Sequence, residues 1–290
     1  MSGAIDPAIP AAAWADYETA ARGAGVEVRA LRADECPAAA SLLSSLWSSS
    51  VLEAPALVAL AHAGSYVAGA FDGDRMVGVC VGFLSQPVGE AMHSHVAGVL
   101  PDAAGRGIGT AMKLHQRAWC LDLGLTRMTW TFDPLVTRNA SFNLRRLGAE
   151  VTDYLVDFYG TMTDGVNAGQ GSDRALVTWR LDAPLPASAD PADASGGDAA
   201  RPADASDGSD RGDEILSVGP GELPVSSPLR DDATRAVAAL PADIEATRRT
   251  APDTAALWRS ALRDAVVPLL EHGWTIAAVT RDGRYRLEKP

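Results

Sequence analysis

The stretch that decides the fold is AAGRGIGTAMKLHQRAW, which runs from Ala103 to Trp119. Glycines occupy the alternate positions 105, 107 and 109, and apolar residues then recur three and four apart, which predicts a helix that buries one face. Glycine uncovers backbone N–H groups, and a helix N-terminus directs such groups at an anion. The stretch therefore predicts a phosphate-binding loop at the start of a helix.

Two common phosphate loops do not fit this stretch. A P-loop needs Gly-Lys-Ser/Thr after its second glycine, and a dinucleotide fingerprint needs GxGxxG after the first strand of a βαβ unit. This loop reads GxGxG and follows a hairpin and a further strand. That strand, VAGVLP, contains Gly98, and a glycine inside a strand is a common place for a bulge. We expect the bulge to free the backbone groups of Val99 and Leu100 for an extended ligand.

Composition restricts the function classes. The chain has 290 residues and a net charge of −12, but nine acidic and two basic residues lie within 182–214, so the rest carries only −5. The absence of a basic stripe with interleaved aromatic residues argues against nucleic acid as a partner. The chain has three cysteines, Cys36, Cys80 and Cys120, and no CxxC pair. This argues against disulfides and thiolate metal sites and indicates a cytoplasmic protein. We expect neither a signal peptide nor a membrane span, since no apolar run approaches about 20 residues.

The pattern of strands, turns and linkers predicts four segments. Residues 1–24 are expected to form a loosely attached, alanine-rich helical arm, and residues 25–182 an α/β domain in which an Asp-Gly turn closes a hairpin. Residues 183–213 are rich in Ala, Pro, Asp, Gly and Ser, which predicts a disordered acidic linker. Residues 214–290 predict two or three helices and a closing hairpin, a small α+β extension that docks on the preceding domain.

Over residues 25–181 the sequence resembles a known superfamily. The stretches AGVLPDAAGRGIGTAM and NASFNLRRLGA, with the strands around them, resemble the coenzyme-A-binding core of the GNAT acetyltransferases. The longer pattern with YLVDFYG and SDRALVTW is similar to a little-characterised acyltransferase branch, which LPADI and LWR in the C-terminal segment also resemble. The resemblance implies an α/β (α+β) fold with a mixed, splayed β-sheet flanked by helices.

The resemblance also implies a function. Acyl-CoA would lie between strands 92–100 and 126–132, with its pantetheine paired to the backbone of Val99 and Leu100. Its pyrophosphate would rest on the loop and the first helical turn: Gly105, Arg106, Gly107, Ile108, Gly109 and Thr110. The reaction would be direct attack of a small-molecule amine, such as that of an amino acid, on the thioester, with no metal. Acetyl is the default acyl group and a larger one such as succinyl is an alternative.

Two positions depart from the superfamily pattern. Ala104 stands where the pattern begins with Gln or Arg, and we expect Arg106 to supply the missing charge. Leu144 stands where the superfamily often places a tyrosine that protonates the leaving thiolate. The proton donor must therefore come from elsewhere, and we assign it to Tyr159, although tyrosine on a strand more often serves packing.

His93 and His95 are candidate catalytic residues, since they are two apart on one strand and therefore face the same way. One hypothesis is that one of these histidines acts as a general base near the acceptor, because histidine titrates close to neutral pH. Hydrogen-bonded strand residues are an equal alternative. A metal pair is a weaker one, because no third ligand has recognisable spacing.

Polar residues near the expected opening are candidate substrate contacts. Asp133 can form an Asx-Pro turn and Asn139 can cap a helix, whereas Asn143 lies mid-helix, where asparagine is a poor choice unless it binds ligand or core. Arg174 either pairs with Asp173 or clamps an acceptor carboxylate.

Two other function classes stay open at this point. The missing tyrosine is also consistent with a non-catalytic CoA-binding sensor, and the linker and C-terminal segment with an interaction protein. A homodimer is left open as well.

Overall fold

The structure is a computed structural model and describes residues 5–160, 171–186 and 212–290. Its strands, in chain order, are β1 (Glu27–Ala30), β2 (Tyr66–Asp72), β3 (Arg75–Ser85), β4 (Ala91–Val99), β5 (Arg127–Phe132), β6 (Glu150–Leu155), β7 (Arg174–Arg180), β8 (Asp213–Val218), β9 (Pro224–Ser226), β10 (Arg235–Ala239), β11 (Thr275–Val279) and β12 (Arg284–Glu288). Its helices are α1 (Ala8–Ala24), α2 (Cys36–Trp47), α3 (Ala54–His62), α4 (Ile108–Asp122), α5 (Thr137–Ala140), α6 (Ile244–Thr250) and α7 (Pro252–Glu271).

The chain divides into two compact units, and the divisions fall inside β5 and β7. Unit 1 comprises the described residues of 1–130 and 179–198, and unit 2 those of 131–178 and 199–290. The predicted segments 25–182 and 214–290 are divided differently, because residues 131–178 group with the C-terminal segment. Most of the predicted linker, residues 187–211, lies outside the described residues.

Unit 1 is built on a mixed sheet whose strand order is β1-β2-β3-β4-β5. Neighbours from β1 to β4 are antiparallel, whereas β5 runs parallel to β4. The predicted β2–β3 hairpin is confirmed, and Gly73 in its turn has φ +58°. Helices cover both faces of the sheet. Val79 and Val81 of β3 belong to the core under α2 and α3, and on the other face a Cβ at Gly78 would lie 2.9 Å from Met112 of α4.

The N-terminal helix is confirmed, but its loose attachment is wrong. The Trp14 indole donates to the Asp122 carboxylate at 2.9 Å, and Arg117 of α4 pairs with Asp16 at the same distance. Because α1 covers the outer side of α4, the predicted one-sided burial of α4 is also wrong. Polar side chains such as Gln116 are buried along with the apolar ones.

Unit 2 contains a five-stranded sheet in the order β11-β12-β10-β8-β9. The pair β8–β10 is parallel, and the other neighbours are antiparallel. The predicted closing hairpin is β11–β12, whereas β8, β9 and β10 were missed, so this sheet is larger than the sequence indicates. Helix α7 buries one face at helical spacing, through Ala255, Trp258, Leu262 and Val266.

The described residues of 131–178 pack on the C-terminal residues within unit 2. The Tyr285 hydroxyl donates to the Pro134 carbonyl at 2.8 Å, and the Thr137 hydroxyl donates to the Pro241 carbonyl at 3.1 Å. A Cβ at Gly283 would lie 2.7 Å from the Thr137 side chain, so glycine is needed for this close approach. Strand β6 is the antiparallel neighbour of the part of β7 that lies in the same unit.

The chain that follows α5 has an unusual helical form. Helix α5 continues directly into a π-helical stretch, Ser141–Arg146, in which the Leu147 N–H donates to the Phe142 carbonyl at 3.1 Å. Gly148 follows with φ +72°, the left-handed conformation that glycine commonly adopts just past a helix end. π-Helical stretches are rare and often occur at functional sites.

Candidate functional site

The glycine loop of unit 1 places a row of free amides at the start of α4. Gly107 is the N-cap with φ +87°, and the first helical bond runs from the Ala111 N–H to the Gly107 carbonyl. The three preceding helical N–H groups, those of Ile108, Gly109 and Thr110, therefore have no partner within the helix. A Cβ at Gly109 would meet no atom within 4 Å, so there is open space beside this first helical turn. Partial positive charge at a helix N-terminus makes these amides a candidate anion site.

Arg106, which we expected to add charge to this site, is used elsewhere. Its guanidinium donates to the Asp72 carboxylate at 2.6 Å and to the Ala24 carbonyl at 3.0 Å. A Cβ at Gly25 would approach the same guanidinium to 3.2 Å. The side chain of Arg106 therefore connects the β2–β3 turn to the end of α1, and the amides are the anion-binding groups that the loop offers.

The predicted splay of the sheet is present in unit 1. Parallel pairing of β4 with β5 begins at Ala91 with Arg127 and ends at His93 with Thr129, although β4 continues for six more residues to Val99. The later part of β4 therefore leaves its β5-facing edge without a strand partner among the described residues. Such an edge offers N–H and C=O groups to an extended ligand.

The bulge in β4 lies at His95, not at Gly98. The β3–β4 register pairs Val81 with Val96 and then Gly82 with Ser94, so the residue between them is the extra one. The prediction of a bulge at Gly98 is therefore wrong, because the bulge lies three residues earlier in β4.

Gly98 has a packing role instead. It is paired regularly with Val79 of β3, and a Cβ at this position would lie 2.4 Å from Leu46 and 2.9 Å from Trp47 of α2. A side chain here would displace α2 from the sheet.

Of the two backbone positions expected to bind pantetheine, only Val99 is directed at the open edge. The Leu100 N–H donates to the Val77 carbonyl at 2.9 Å, and its own carbonyl accepts from the Ala103 N–H at 3.0 Å. The expectation that Leu100 is free is wrong. Since residues of an antiparallel ladder alternate in the edge they face, the same bond turns the N–H and C=O of Val99 toward the open edge.

His93 and His95 lie together on β4 and share one aromatic neighbour. Their ring centroids are 5.4 Å and 5.6 Å from that of Phe83, and 6.3 Å from each other. Nδ1 of His93 is 3.2 Å from the Thr129 hydroxyl. Burial lowers the pKa of both histidines below its usual value. Both are therefore neutral at pH 7, which is the form that can accept a proton.

Tyr159 belongs to unit 2 and is half exposed, at 47% of its surface. Its hydroxyl is 3.5 Å from the Thr131 hydroxyl, and its N–H donates to the Ser172 hydroxyl. The Arg174 guanidinium lies over its ring, 5.2 Å from the centroid. A phenol with access to solvent and a cation on its ring can deliver a proton.

Asp133 is fully engaged. Its Oδ1 accepts from the Leu135 N–H, which forms the predicted Asx turn, and its Oδ2 accepts from Arg248 and Arg259. Burial alone would raise the pKa of this carboxyl, but the two guanidinium groups hold it below its usual value. Asp133 is thus an ionised, buried counter-ion.

The two asparagines lie in the helix after Asp133. Asn139 lies near the start of α5 but does not cap it, because the N-cap is Val136 and the Asn139 N–H donates to the Val136 carbonyl. Asn143 is buried within the π-helical stretch, and its carbonyl accepts from the Ala149 N–H at 2.9 Å. The π-helical stretch therefore contains Asn143, the asparagine that is a poor choice for a position inside a helix.

Residues 28–149 match the model of the Acetyltransferase (GNAT) family. This domain belongs to the GNAT acetyltransferases. No curated protein matches the chain. Similar solved structures include yncA of Salmonella typhimurium with its cofactor acetyl-CoA, at 15% identity over 54% of this chain and 94% of that chain (TM-score 0.45). The ribosomal-protein-S18-alanine N-acetyltransferase of Escherichia coli has 11% identity over 55% and 96% (0.46), and Naa50 of Arabidopsis thaliana with a bisubstrate analogue has 19% over 53% and 97% (0.45).

Both departures from the superfamily pattern lie inside the GNAT domain. Ala104 is exposed before the loop, and its N–H donates to the Pro101 carbonyl at 3.2 Å. Leu144 lies in the π-helical stretch and has no titratable group.

Two kinds of feature are absent from the described residues. Within 5–160, 171–186 and 212–290, no group of three His, Cys, Asp or Glu side chains could hold a metal ion. Over the same ranges, no helix is long and apolar enough to cross a membrane.

Sequence reasoning missed the buried cations. Lys113 of the GNAT domain donates to the Ser94 hydroxyl at 2.7 Å and lies 4.0 Å from the ring centroid of Trp130. Burial lowers its pKa to about 8. In unit 2, Arg248 and Arg259 reach Asp133 from α6 and α7, and the only sequence signal for them was the LWR stretch that contains Arg259.

Proposed function

We propose that the chain is an acyl-CoA-dependent N-acyltransferase that acts on the amine of a small molecule such as an amino acid. The observation that carries the proposal is the row of free amides at the start of α4, beside a β4 edge without a strand partner. The amides suit the pyrophosphate of CoA, and the Val99 backbone suits its pantetheine. Acetyl is the default acyl group, and succinyl is an alternative.

The reaction requires the protein to position the two substrates and to transfer protons, and little else. The neutral amine attacks the thioester carbonyl, the C–N bond forms and the C–S bond breaks. The nitrogen loses one proton to a base, and the leaving thiolate gains one from an acid. We assign the base to His93 or His95, which are neutral at pH 7, and the acid to Tyr159, in place of the tyrosine that Leu144 replaces.

The acceptor is proposed to be small because the net charge outside the acidic segment is too low to favour a strongly basic peptide. Most of the excess negative charge lies in residues 182–214, and the remaining chain carries only −5. Asp133 does not bind the acceptor amine directly, since both of its oxygens already have partners.

Gly109→Leu tests the loop without straining it. Gly109 lies in the first turn of α4 with ordinary helical geometry, so leucine improves helix propensity while its side chain covers the amides. Isothermal titration should show CoA affinity reduced about tenfold or more, with no fall in melting temperature.

Gly124→Ala is the matched control at the other end of the same helix. Gly124 has φ +77°, so alanine introduces strain there. We expect a lower melting temperature and unchanged CoA affinity. Wild-type affinity in Gly109→Leu would exclude the loop as the CoA site.

A thiol-release assay with acetyl-CoA and succinyl-CoA over a panel of amines decides the activity. Release with a small amine supports the proposal and identifies the acyl group. CoA binding without release from either thioester would indicate a CoA-binding sensor. No binding of either acyl-CoA would overturn both CoA functions and leave the interaction protein.

A further inference from the structure

A cavity of about 500 Å³ lies in unit 1 between α1, the start of β1 and the β2–β3 turn. Small-molecule sites in proteins usually enclose about 300–1,000 Å³, so this cavity has the volume of a ligand site. Its lining does not include the amides of residues 108–110 or the backbone of Val99. The cavity is therefore separate from the candidate CoA site and has no role in the proposed acyl transfer.

Small residues leave the cavity unfilled. Gly73 lines it in the β2–β3 turn with φ +58°, and a Cβ there would meet no atom within 4 Å. Gly25, with φ +65°, lines it where the chain passes from α1 to β1. The buried Ala21 forms part of the α1 side. Because these positions carry little or no side chain, the volume between α1 and β1 stays open to a ligand.

Tyr17 of α1 lines the cavity and is held in one position. Its hydroxyl donates to the Val28 carbonyl and accepts from the Val28 N–H, each at 3.0 Å. Its ring packs nearly at right angles against Trp14 and His115, with centroid distances of 5.7 Å and 4.8 Å. An aromatic ring that is fixed before the ligand arrives loses little entropy on binding.

Three charged side chains line the same cavity: Glu18 and Arg22 of α1, and Glu27 of β1. All three residues are exposed. None of them forms an ion pair or a side-chain hydrogen bond with another of the described residues. The lining thus presents two carboxylates and one guanidinium that are available to a ligand.

The two carboxylates lie near the Tyr17 hydroxyl. Burial raises the pKa of this phenol, the hydrogen bond with the Val28 backbone lowers it, and the negative charges of Glu27 and Glu18 raise it further. Since the interaction between charges weakens with distance, both carboxylates must be close to the same hydroxyl. A ligand cation there would have two negative charges and an aromatic ring as neighbours, which are the groups that stabilise an ammonium.

We propose that this cavity binds a basic amino acid, a ligand with two cationic groups and one carboxylate. Glu18 and Glu27 match the two cationic groups, and Arg22 matches the carboxylate, because guanidinium and carboxylate groups form strong charge-assisted hydrogen bonds. Ala21 and the half-buried Val26 suit the methylene groups between these charges. The site does not depend on the proposed function, because its lining contains none of the groups assigned to acyl transfer.

L-Lysine is the first probe, and it tests the site on the full wild-type chain. Its effect on the melting temperature is compared with that of norleucine, which lacks the side-chain ammonium, and of cadaverine, which lacks the carboxylate. Sodium chloride keeps the ionic strength constant. A ligand that binds the folded state raises the melting temperature with its concentration. We expect the apparent affinity for lysine to exceed that for either analogue about fivefold.

Glu27→Gln and Arg22→Gln then locate the binding. Both residues are exposed, so neither substitution should change the melting temperature without lysine. We expect apparent lysine affinity to fall about fivefold in each variant. The matched controls are Glu150→Gln and Arg249→Gln, whose residues are also exposed and without an ion pair among the described residues, but lie in unit 2. Both controls should bind lysine like the wild type.

The two analogues separate the roles of the charged residues. Arg22→Gln removes the partner of the ligand carboxylate, so it should weaken lysine and not cadaverine. Glu27→Gln removes a partner of a cationic group, so it should weaken both. An equal loss for lysine and cadaverine in Arg22→Gln would overturn the pairing of Arg22 with the ligand carboxylate.

Three results would overturn the site as a whole. The first is stabilisation by lysine that does not exceed that by norleucine, and the second is wild-type lysine affinity in both Glu27→Gln and Arg22→Gln. The third is a loss of lysine affinity in the two unit 2 controls that equals the loss in these variants, because binding would then follow the net charge of the chain and not the cavity.

Discussion

Each unit of the molecule buries a positively charged side chain, and the groups that stabilise the buried charge differ between the two units. In unit 1, Lys113 is bound by the Ser94 hydroxyl, the Gln116 side-chain carbonyl and the face of Trp130, and no carboxylate of the described residues contacts it directly. In unit 2, the arginines are bound by the carboxylate of Asp133. The first arrangement uses dipoles and a π-face, and the second uses a full opposite charge.

The side chains themselves explain the difference. An ammonium group that is desolvated can release its proton, and the pKa of Lys113 falls to about 8 for that reason. A guanidinium group stays charged at any pH that a protein tolerates, so burial forces it to find an anion. The lysine site is therefore complete without a carboxylate, whereas the arginine site depends on one.

The largest expected effect comes from Asp133→Asn. Asparagine keeps an oxygen for the Leu135 N–H, so the change removes the charge and little else. Three buried guanidinium groups then have no carboxylate in common, and removing one partner of a buried ion pair costs about 3–5 kcal/mol of unfolding free energy. Urea unfolding of the full chain measures the loss.

Asp157→Asn provides the control for that variant, because Asp157 is half exposed and contacts Arg263 at 3.3 Å. Its loss should stay within about 1 kcal/mol. Equal losses from the two substitutions would show that the arginines of unit 2 do not depend on Asp133.

The second effect is the pH dependence at Lys113. The folded pKa is about 8 and the usual value is 10.5, so between these values the unfolded chain binds more protons and folding becomes more favourable as pH rises. The shift corresponds to about 3 kcal/mol. Burial of the charged Lys113 therefore lowers the unfolding free energy by this full amount below about pH 8, and it has no effect above pH 10.5.

Lys113→Met isolates this contribution, because methionine fills a similar volume without a charge. We expect the unfolding free energy of the variant, minus that of the wild type, to decrease as pH rises from about 8 to 10.5. Urea titrations at several pH values measure it. A difference that does not change with pH would show that Lys113 has the same pKa in both states.

The fold around the glycine loop followed from local sequence, because its signals are local. The Asp-Gly turn, Pro101 after β4 and Gly148 after the helix each constrain one short piece of backbone. Strands β8 to β10 gave no such signal. Their pairing joins segments far apart in the chain, and β8 starts inside the stretch that composition marked as linker.

The candidate site was predictable only where backbone chemistry suffices. The amides of Gly109 and its neighbours follow from the motif itself. The edge of β4 that the Val99 backbone faces depends on the bulge at His95. This bulge shifts the β3–β4 register by one residue, and no residue type in the sequence predicts it. The partners of Asp133 are more than 100 residues away along the chain, and only tertiary structure brings them together.

The smallest expected effect sharpens the comparison within unit 2. Arg138 and Glu245 form a two-bond ion pair like that of an interior site, but the Arg138 side chain is 68% exposed. Water already stabilises both charges, so Glu245→Gln should cost less than about 1 kcal/mol. In about 1 M salt this cost should vanish, since screening then acts over about 3 Å, whereas the cost of Asp133→Asn should persist. Urea unfolding of both variants at low and high salt measures the two responses. A salt-sensitive loss in Asp133→Asn would mean that water reaches the arginines, and that burial is not what makes them depend on a carboxylate.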